Sequence, residues 1–244
     1  MTSAPEEPNE HQENKQAGVA GHIASVREEI SRLELEHDRD PGSVQLLAVS
    51  KTKPSEMIRE AAAANQVDFG ENYADEGAEK SLELRELDLT WHYIGHIQSN
   101  KTKLIAGHYD WVQGVDRLKI AKRLSEHRPT ELPPLNICIQ LKIDAEESKS
   151  GCTTEELAEL AACIADAPQL ILRGLMAIPA PRADATSQRE VFRELHSWYQ
   201  KLQADHATVD TLSMGMSGDM ASAIAEGATM VRIGTAVFGA RDKR

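Results

Sequence analysis

The sequence predicts a single (β/α)8 barrel of the TIM type. Short apolar runs alternate with amphipathic helical segments about eight times, the pattern of parallel strands joined by crossover helices. The length of 244 residues suits one such barrel. The first strand runs into Ser50-Lys51-Thr52-Lys53-Pro54, where an open doubly wound sheet usually carries a Gly-rich turn.

Residues 1–18 are expected to be a flexible leader, rich in Glu, Pro and Asn and without periodicity, and residues 19–244 to form the barrel. From Val19 to Glu36, Ile23, Val26, Ile30 and Leu33 recur at three- and four-residue spacing, a helical stripe that Asp40-Pro41-Gly42 ends. Strands are expected at Val44–Val49, Val67–Phe69, Trp91–Ile94, around Trp111–Val112, and at Leu135–Ile143, Leu170–Met176, Thr208–Ser213 and Thr229–Ile233. Pro54 heads a helix over Ser55–Ala64, as a first-turn proline does. Thr153-Thr154-Glu155-Glu156 supplies a cap and early acids to Leu157–Ala165. Ser217 precedes a helix through Met220 and Ile224 that Gly227 stops. Val191, Leu195, Trp198 and Leu202 form a core-facing stripe. The Glu-rich run from Glu79 to Glu86 reads as a solvated helix face.

Hydrophobic residues make up 41% and charged residues 27%, an ordinary soluble balance. A formal net charge of −12 opposes a nucleic-acid surface, which needs a concentrated basic patch. No apolar stretch approaches the roughly 20 residues that span a bilayer, and no signal or transit peptide is visible. Cys138, Cys152 and Cys163 lack metal-type spacing and read as free thiols in a reducing compartment, so the cytoplasm is expected. His92 and His96 lie on a strand that breaks at Gly95, so they need not share a face, and no metal is expected.

In a barrel, function sits at the C-terminal ends of the strands. There the sequence places Lys51, Asn72, His92 to His96, Lys149, Met176, Ser213 to Ser217 and Arg232 to Thr235. An ammonium set against apolar walls and other cations loses proton affinity, which favours the neutral amine that attacks an aldehyde. Position alone favours a Lys51 that snorkels into solvent, since lysines at turns are common. Ser213-Met214-Gly215-Met216-Ser217 and Arg232-Ile233-Gly234-Thr235 each place small residues and free N–H groups before a helical turn. Those are the loops after strands seven and eight, where barrels frequently hold phosphate. A phosphorylated sugar handled by a Schiff-base lysine fits the same pieces.

The motifs narrow the choice. Leu47-Ala48-Val49-Ser50-Lys51-Thr52-Lys53-Pro54, Phe69-Gly70-Glu71-Asn72-Tyr73, Trp91 through Lys101, Ser148-Lys149-Ser150-Gly151, Arg173 through Pro179, Leu212 through Ser217 and Val231 through Gly239 occur in order. Together they resemble the pyridoxal phosphate homeostasis protein family. The resemblance implies a fold like the N-terminal domain of alanine racemase and a bound pyridoxal 5′-phosphate (PLP) in Schiff-base linkage to Lys51. It implies that Ser217, Gly234 and Thr235 hold the phosphate, that Arg232 faces the pyridine nitrogen, and that Asn72, His92, Met176 and Ser213 line the pocket. Lys149 falls where related barrels set a basic residue near the cofactor's phenolic oxygen. One departure is visible: Lys142 stands where the family more often has Asn.

The resemblance implies a non-catalytic protein that buffers PLP or delivers it to apo-enzymes. The alternative is an amino-acid racemase. Racemisation needs a proton-transfer group on each side of the substrate carbon. Lys51 supplies one; in alanine racemase the other comes from a separate domain across a dimer interface, which this sequence is expected to lack. A monomer with no catalytic residue is therefore expected. A third reading, an interaction protein with a vestigial site, requires that the purified protein carry no cofactor.

Overall fold

The computed structural model describes residues 18–143 and 150–240. The expected leader up to residue 17 and the candidate Lys149 lie outside the described residues. The chain runs α1 (Val19–Glu36), β1 (Gln45–Val49), α2 (Ser55–Ala63), β2 (Asp68–Glu71), α3 (Ala74–Glu83) and β3 (Thr90–Tyr93). A 3-10 turn at Ser99–Lys101 leads into α4 (Thr102–His108), β4 (Trp111–Val115), α5 (Leu118–His127) and β5 (Leu135–Gln140). Then come α6 (Leu157–Ala165), β6 (Leu170–Met176), α7 (Ala185–Asp205), β7 (Thr211–Ser213), α8 (Met220–Ala225), β8 (Met230–Ile233) and α9 (Thr235–Phe238).

The eight strands pair in parallel and in sequence order, and β8 closes on β1 through Gln45–Met230, Leu46–Val231, Leu47–Arg232 and Ala48–Ile233. Strand alternation sends one set of side chains outward to the helices and the other into the barrel. Leu46, Ala48, Phe69, Val112, Ile137, Ile139, Val231 and Ile233 belong to the outer core that the helices cover. Leu47, Ile94 and Met230, with Val49, form a separate apolar cluster inside the barrel.

Two irregularities re-aim this alternation. The β4–β5 register shifts between Val112 and Val115, so both valines join the outer core although they stand an odd number of positions, three, apart. The β5–β6 register shifts between Ile137 and Cys138, beside Gly174. Gly174 has φ 150°, and a Cβ there would lie 1.8 Å from the Thr211 carbonyl oxygen. Only glycine lets β6 pass β7 this closely.

The expected α1 stripe is buried as drawn, with Val19 added, and α1 packs against α2, α8 and α9. It stands in for the helix that β8 would otherwise supply, because α9 spans four residues. Glu156, rather than a threonine, occupies the position before α6, and its carboxylate accepts the Thr153 N–H at 2.9 Å. On α7 the expected Val191, Leu195 and Leu202 are buried, Phe192 and Tyr199 widen the stripe, and Trp198 packs partly buried against the core. No helix among the described residues is long and apolar enough to cross a membrane.

Candidate functional site

The apolar run of β1 ends at Val49, and the chain then turns over the barrel's C-terminal rim. Ser50 N–H donates to Gly70 O at 3.0 Å, and Lys53 N–H returns to Ser50 O at 3.0 Å, enclosing half-buried Lys51 and exposed Thr52 in a turn. Thr52 has φ 63°, a left-handed conformation that a β-branched residue adopts only under constraint. The constraint is visible: its N–H donates to Glu76 Oε1 at 2.5 Å.

A buried charge cluster lies beneath that turn. The Lys80 ammonium donates to Ser50 O at 2.9 Å, Glu71 Oε1 at 2.8 Å and Glu76 Oε1 at 2.6 Å. Ser50 Oγ donates to the same Glu71 oxygen at 2.7 Å. Burial pushes the Glu71 carboxyl above the usual range, and Lys80 and Ser50 pull it back only in part. Lys80 sits within the stretch read above as a solvated helix face. That reading fails at this position because Glu76 and Glu71 draw the amine inward. The i,i+4 pair Glu76–Lys80 was the available signal.

β8 stands between β1 and β7, so the turns after β7 and β8 adjoin the Lys51 turn. Gly234 rests on Val49, whose carbonyl oxygen would be 3.3 Å from a Cβ at 234. The Arg232 N–H donates to Gly215 O at 3.0 Å, tying the two turns together. The N–H groups of Ser217, Gly218, Thr235 and Ala236 make no hydrogen bond to another described residue. The expected helix start at Ser217 shifts by two residues, because Asp219 occupies the cap position and α8 begins at Met220. With α8 at six residues and α9 at four, neither carries much of a macrodipole, so what these turns present to an anion is N–H and hydroxyl donors. Asp219, which accepts Met216 N–H at 2.6 Å, adds a carboxylate that the sequence pattern did not single out.

Arg232 points inward and is 4% exposed. Nη1 donates to Ser213 Oγ and Nη2 to Ala177 O, both at 2.8 Å. Burial lowers the guanidinium to about 10. Ser213 and Met176 are fully buried, and Ser213 Oγ donates a hydrogen bond to Gln113 Oε1 at 2.7 Å. His92 is also fully buried, with Asp68 Oδ1 at 3.0 Å from Nε2 and Gln113 Nε2 at 3.0 Å from Nδ1. It lies inside the barrel, whereas His96 is exposed with Ser150 Oγ at 3.2 Å from its Nδ1. The two histidines do not share a site.

Asn72 lines a cavity of about 360 Å³ at the same rim, with Tyr73, Tyr93, His96 and Lys101. Its Oδ1 is buried and lacks a hydrogen-bond partner. Lys142 borders a small cleft with Ser150, Ala177 and Pro179. The structure thus gathers Lys51, Asn72, Ser217, Gly234 and Thr235 on one rim with Arg232 just inside it. It sets Ser213 and His92 in the hydrogen-bonded interior beneath.

The model of the alanine racemase N-terminal domain matches residues 22–242. A pyridoxal phosphate homeostasis protein of Escherichia coli K12 is 52% identical over 227 residues, covering 92% of this chain and 97% of that one. Its counterpart in Pseudomonas aeruginosa PAO1 is 54% identical over 224 residues, covering 92% and 96%. The chain belongs to the pyridoxal phosphate homeostasis protein family. PipY of Synechococcus elongatus PCC7942, solved with PLP bound, is 36% identical with a TM-score of 0.77 over 91% of this chain and all of that one. Alanine racemase of Corynebacterium glutamicum, at 18% identity and a TM-score of 0.63, covers 92% of this chain and 62% of its own, and shares the fold. Within the family frame, motif reading gave no role to Gln113, Glu71 or Lys80. The partners of Gln113 are 21 and 100 residues away, whereas Glu71 and Lys80 pair nine residues apart across a strand and the following helix.

Proposed function

We propose that this chain holds PLP at the C-terminal rim of the barrel, through Lys51, as a non-catalytic carrier in intracellular PLP homeostasis. The observation that carries the reading is the β1–β8 pairing, which sets the Lys51 turn beside a turn with unpaired N–H groups. When bound, PLP supplies an aldehyde that condenses with a primary amine and an anionic phosphate ester that seeks hydrogen-bond donors.

The residues present suit such a group. Ser217 and Thr235 offer exposed hydroxyls beside the free N–H groups, and Gly234 keeps the floor of the turn low against Val49. Arg232 uses Nη1 and Nη2 for one protein acceptor each, which leaves guanidinium protons for a ligand. A guanidinium is a poor proton donor, so it orients a ring nitrogen without protonating it, which weakens the electron withdrawal that carbanion chemistry needs. The buried Asn72 oxygen is one further polar atom at the rim that a ligand donor satisfies. The Ser50–Glu71–Lys80 cluster fixes the strand end that carries Lys51. Buffering and delivery to apo-enzymes follow from a site that binds reversibly and turns nothing over.

One preparation tests this. Purified protein is loaded with PLP, reduced with borohydride and digested, and the modified peptide is expected to be the one containing Lys51. Attachment elsewhere refutes the site. The same loaded sample, incubated with single enantiomers of a panel of amino acids, is expected to leave their optical rotation unchanged. Sustained racemisation refutes the carrier reading.

A further inference from the structure

Arg232 is the upper end of a chain of side chains that crosses the barrel interior. The links run from β8 to β7, β4, β3 and β2: Arg232 Nη1 to Ser213 Oγ at 2.8 Å, Ser213 to Gln113 at 2.7 Å, Gln113 to His92 at 3.0 Å, and His92 to Asp68 at 3.0 Å. All but Asp68 are buried. Asp68 opens β2 at the opposite mouth and lines a cavity of about 270 Å³ there with Arg27, Glu34 and Gln66.

The chemistry of the donors fixes the direction of every link. A guanidinium only donates, so Ser213 Oγ accepts from it and directs its own proton to Gln113 Oε1. The amide of Gln113 therefore presents Nε2 to His92 and to Met230 Sδ, the latter at 3.2 Å. An amide nitrogen also only donates, so Nδ1 of His92 is the bare ring nitrogen and Nε2 carries the proton given to Asp68. Flipping the Gln113 amide would leave the Ser213 proton facing donors on both sides. The ring is further held by stacking on Trp111, at 5.2 Å between centroids and 13° between planes. Trp111 in turn lies under Arg173, 4.7 Å from its ring centroid.

We infer that Gln113, His92 and Asp68 are positioning residues for Arg232: a one-way hydrogen-bond chain, anchored at the opposite mouth, holds the guanidinium that faces the cofactor. This rests on the reading that PLP occupies the rim beside Lys51. A satisfied polar core with no such role predicts that events at the rim leave His92 unchanged. A coupled chain predicts that they reach it, because each bond polarises the next.

The test uses the full chain, ¹⁵N-labelled, and long-range ¹H–¹⁵N spectra of its histidines. His92 is expected with a bare Nδ1 and a protonated Nε2, and its ring resonances are expected to move when PLP loads. The Gln113→Leu variant is expected to lose that response, shift the absorbance maximum of the bound cofactor, and bind PLP about tenfold more weakly, the scale of one charge-assisted hydrogen bond. Asp68→Asn still accepts the Nε2 proton and is expected to keep the response, whereas Asp68→Leu loses it. That pair of variants at the accessible end decides the matter if Gln113→Leu does not fold. A protonated Nδ1, or a silent His92 in protein whose Lys51 adduct is trapped by borohydride, overturns the inference. Absence of any adduct at Lys51 overturns the functional reading on which it rests, a separate result.

Discussion

Replacing Lys80 with methionine tests whether the buried cluster carries the strand end that presents Lys51. Methionine keeps most of the side-chain volume, so the change removes charge rather than creating a large void. The Lys80 side chain is 8% exposed, Glu71 is fully buried, and Glu76 is 29% exposed. Loss of the ammonium leaves the Glu71 carboxylate with Ser50 Oγ alone, and its other oxygen is already without a partner. Breaking a buried pair from one side costs about 3–5 kcal/mol. Glu76, near solvent, adds little. We expect a loss of about 3–4 kcal/mol at pH 7, read as a fall of about 1 M or more in the urea midpoint of tryptophan fluorescence. The pH dependence has a fixed sign. The Glu71 carboxyl already titrates above the usual carboxylate range, and removing Lys80 raises it further. The folded state then holds a proton that the unfolded state releases, so stability falls as pH rises through that window. The deficit relative to the parent protein is thus smaller at pH 5 than at pH 8, and adding Glu71→Gln recovers most of it. A deficit below about 1 kcal/mol at pH 7, or one indifferent to pH, refutes the assignment of the cluster as a coupled ion pair.

Other perturbations have equally definite outcomes. Gly174→Ala drives a Cβ to 1.8 Å from the Thr211 carbonyl oxygen in a backbone region that alanine avoids, so we expect a loss above about 3 kcal/mol, measured by thermal melting or seen as insoluble expression. Cys138 and Cys152 are buried, and burial pushes both thiols up to about 12, so an aromatic disulfide reagent is expected to label Cys163 alone in native protein and all three cysteines in urea. Rapid labelling of more than one native thiol contradicts the packing around β5. Ser217→Asp places a second carboxylate in the turn that already holds Asp219; we expect PLP affinity to fall at least about tenfold with the urea midpoint unchanged, because residue 217 is exposed.

Much of the fold was legible because its causes are local. Alternation of apolar runs with helical stripes placed every strand, and the Lys51, Gly215 and Gly234 turns fell at strand ends where a barrel puts its ligand sites. What local pattern could not supply was the face on which polar residues lie once a strand bulges. Trp111, Gln113 and Val115 alternate in sequence, yet the shift after Val112 sends Val115 outward while Gln113 points in. Lys80 escaped for a related reason. Glu79 and Glu83 beside it are acidic and exposed, and the approach of β2 through Glu71 makes its position an interior one.

The charged constructions at Lys80 and at Arg232 differ in kind, and the difference bears on how such a site works. Lys80 and Glu71 meet directly at 2.8 Å beneath the Lys51 turn, a short-range device that fixes backbone. Arg232 instead meets its nearest side-chain partner through a neutral hydroxyl, and the carboxylate that completes its chain stands at the other mouth. A carboxylate in direct contact would neutralise the guanidinium and occupy the protons a ligand needs. Neutral links of fixed direction orient the cation while leaving its charge directed at the rim. On this view the polar interior is not a concession in the packing of the barrel. It allows a buried cation to remain oriented when the rim is empty, so that binding there need not pay the cost of ordering it.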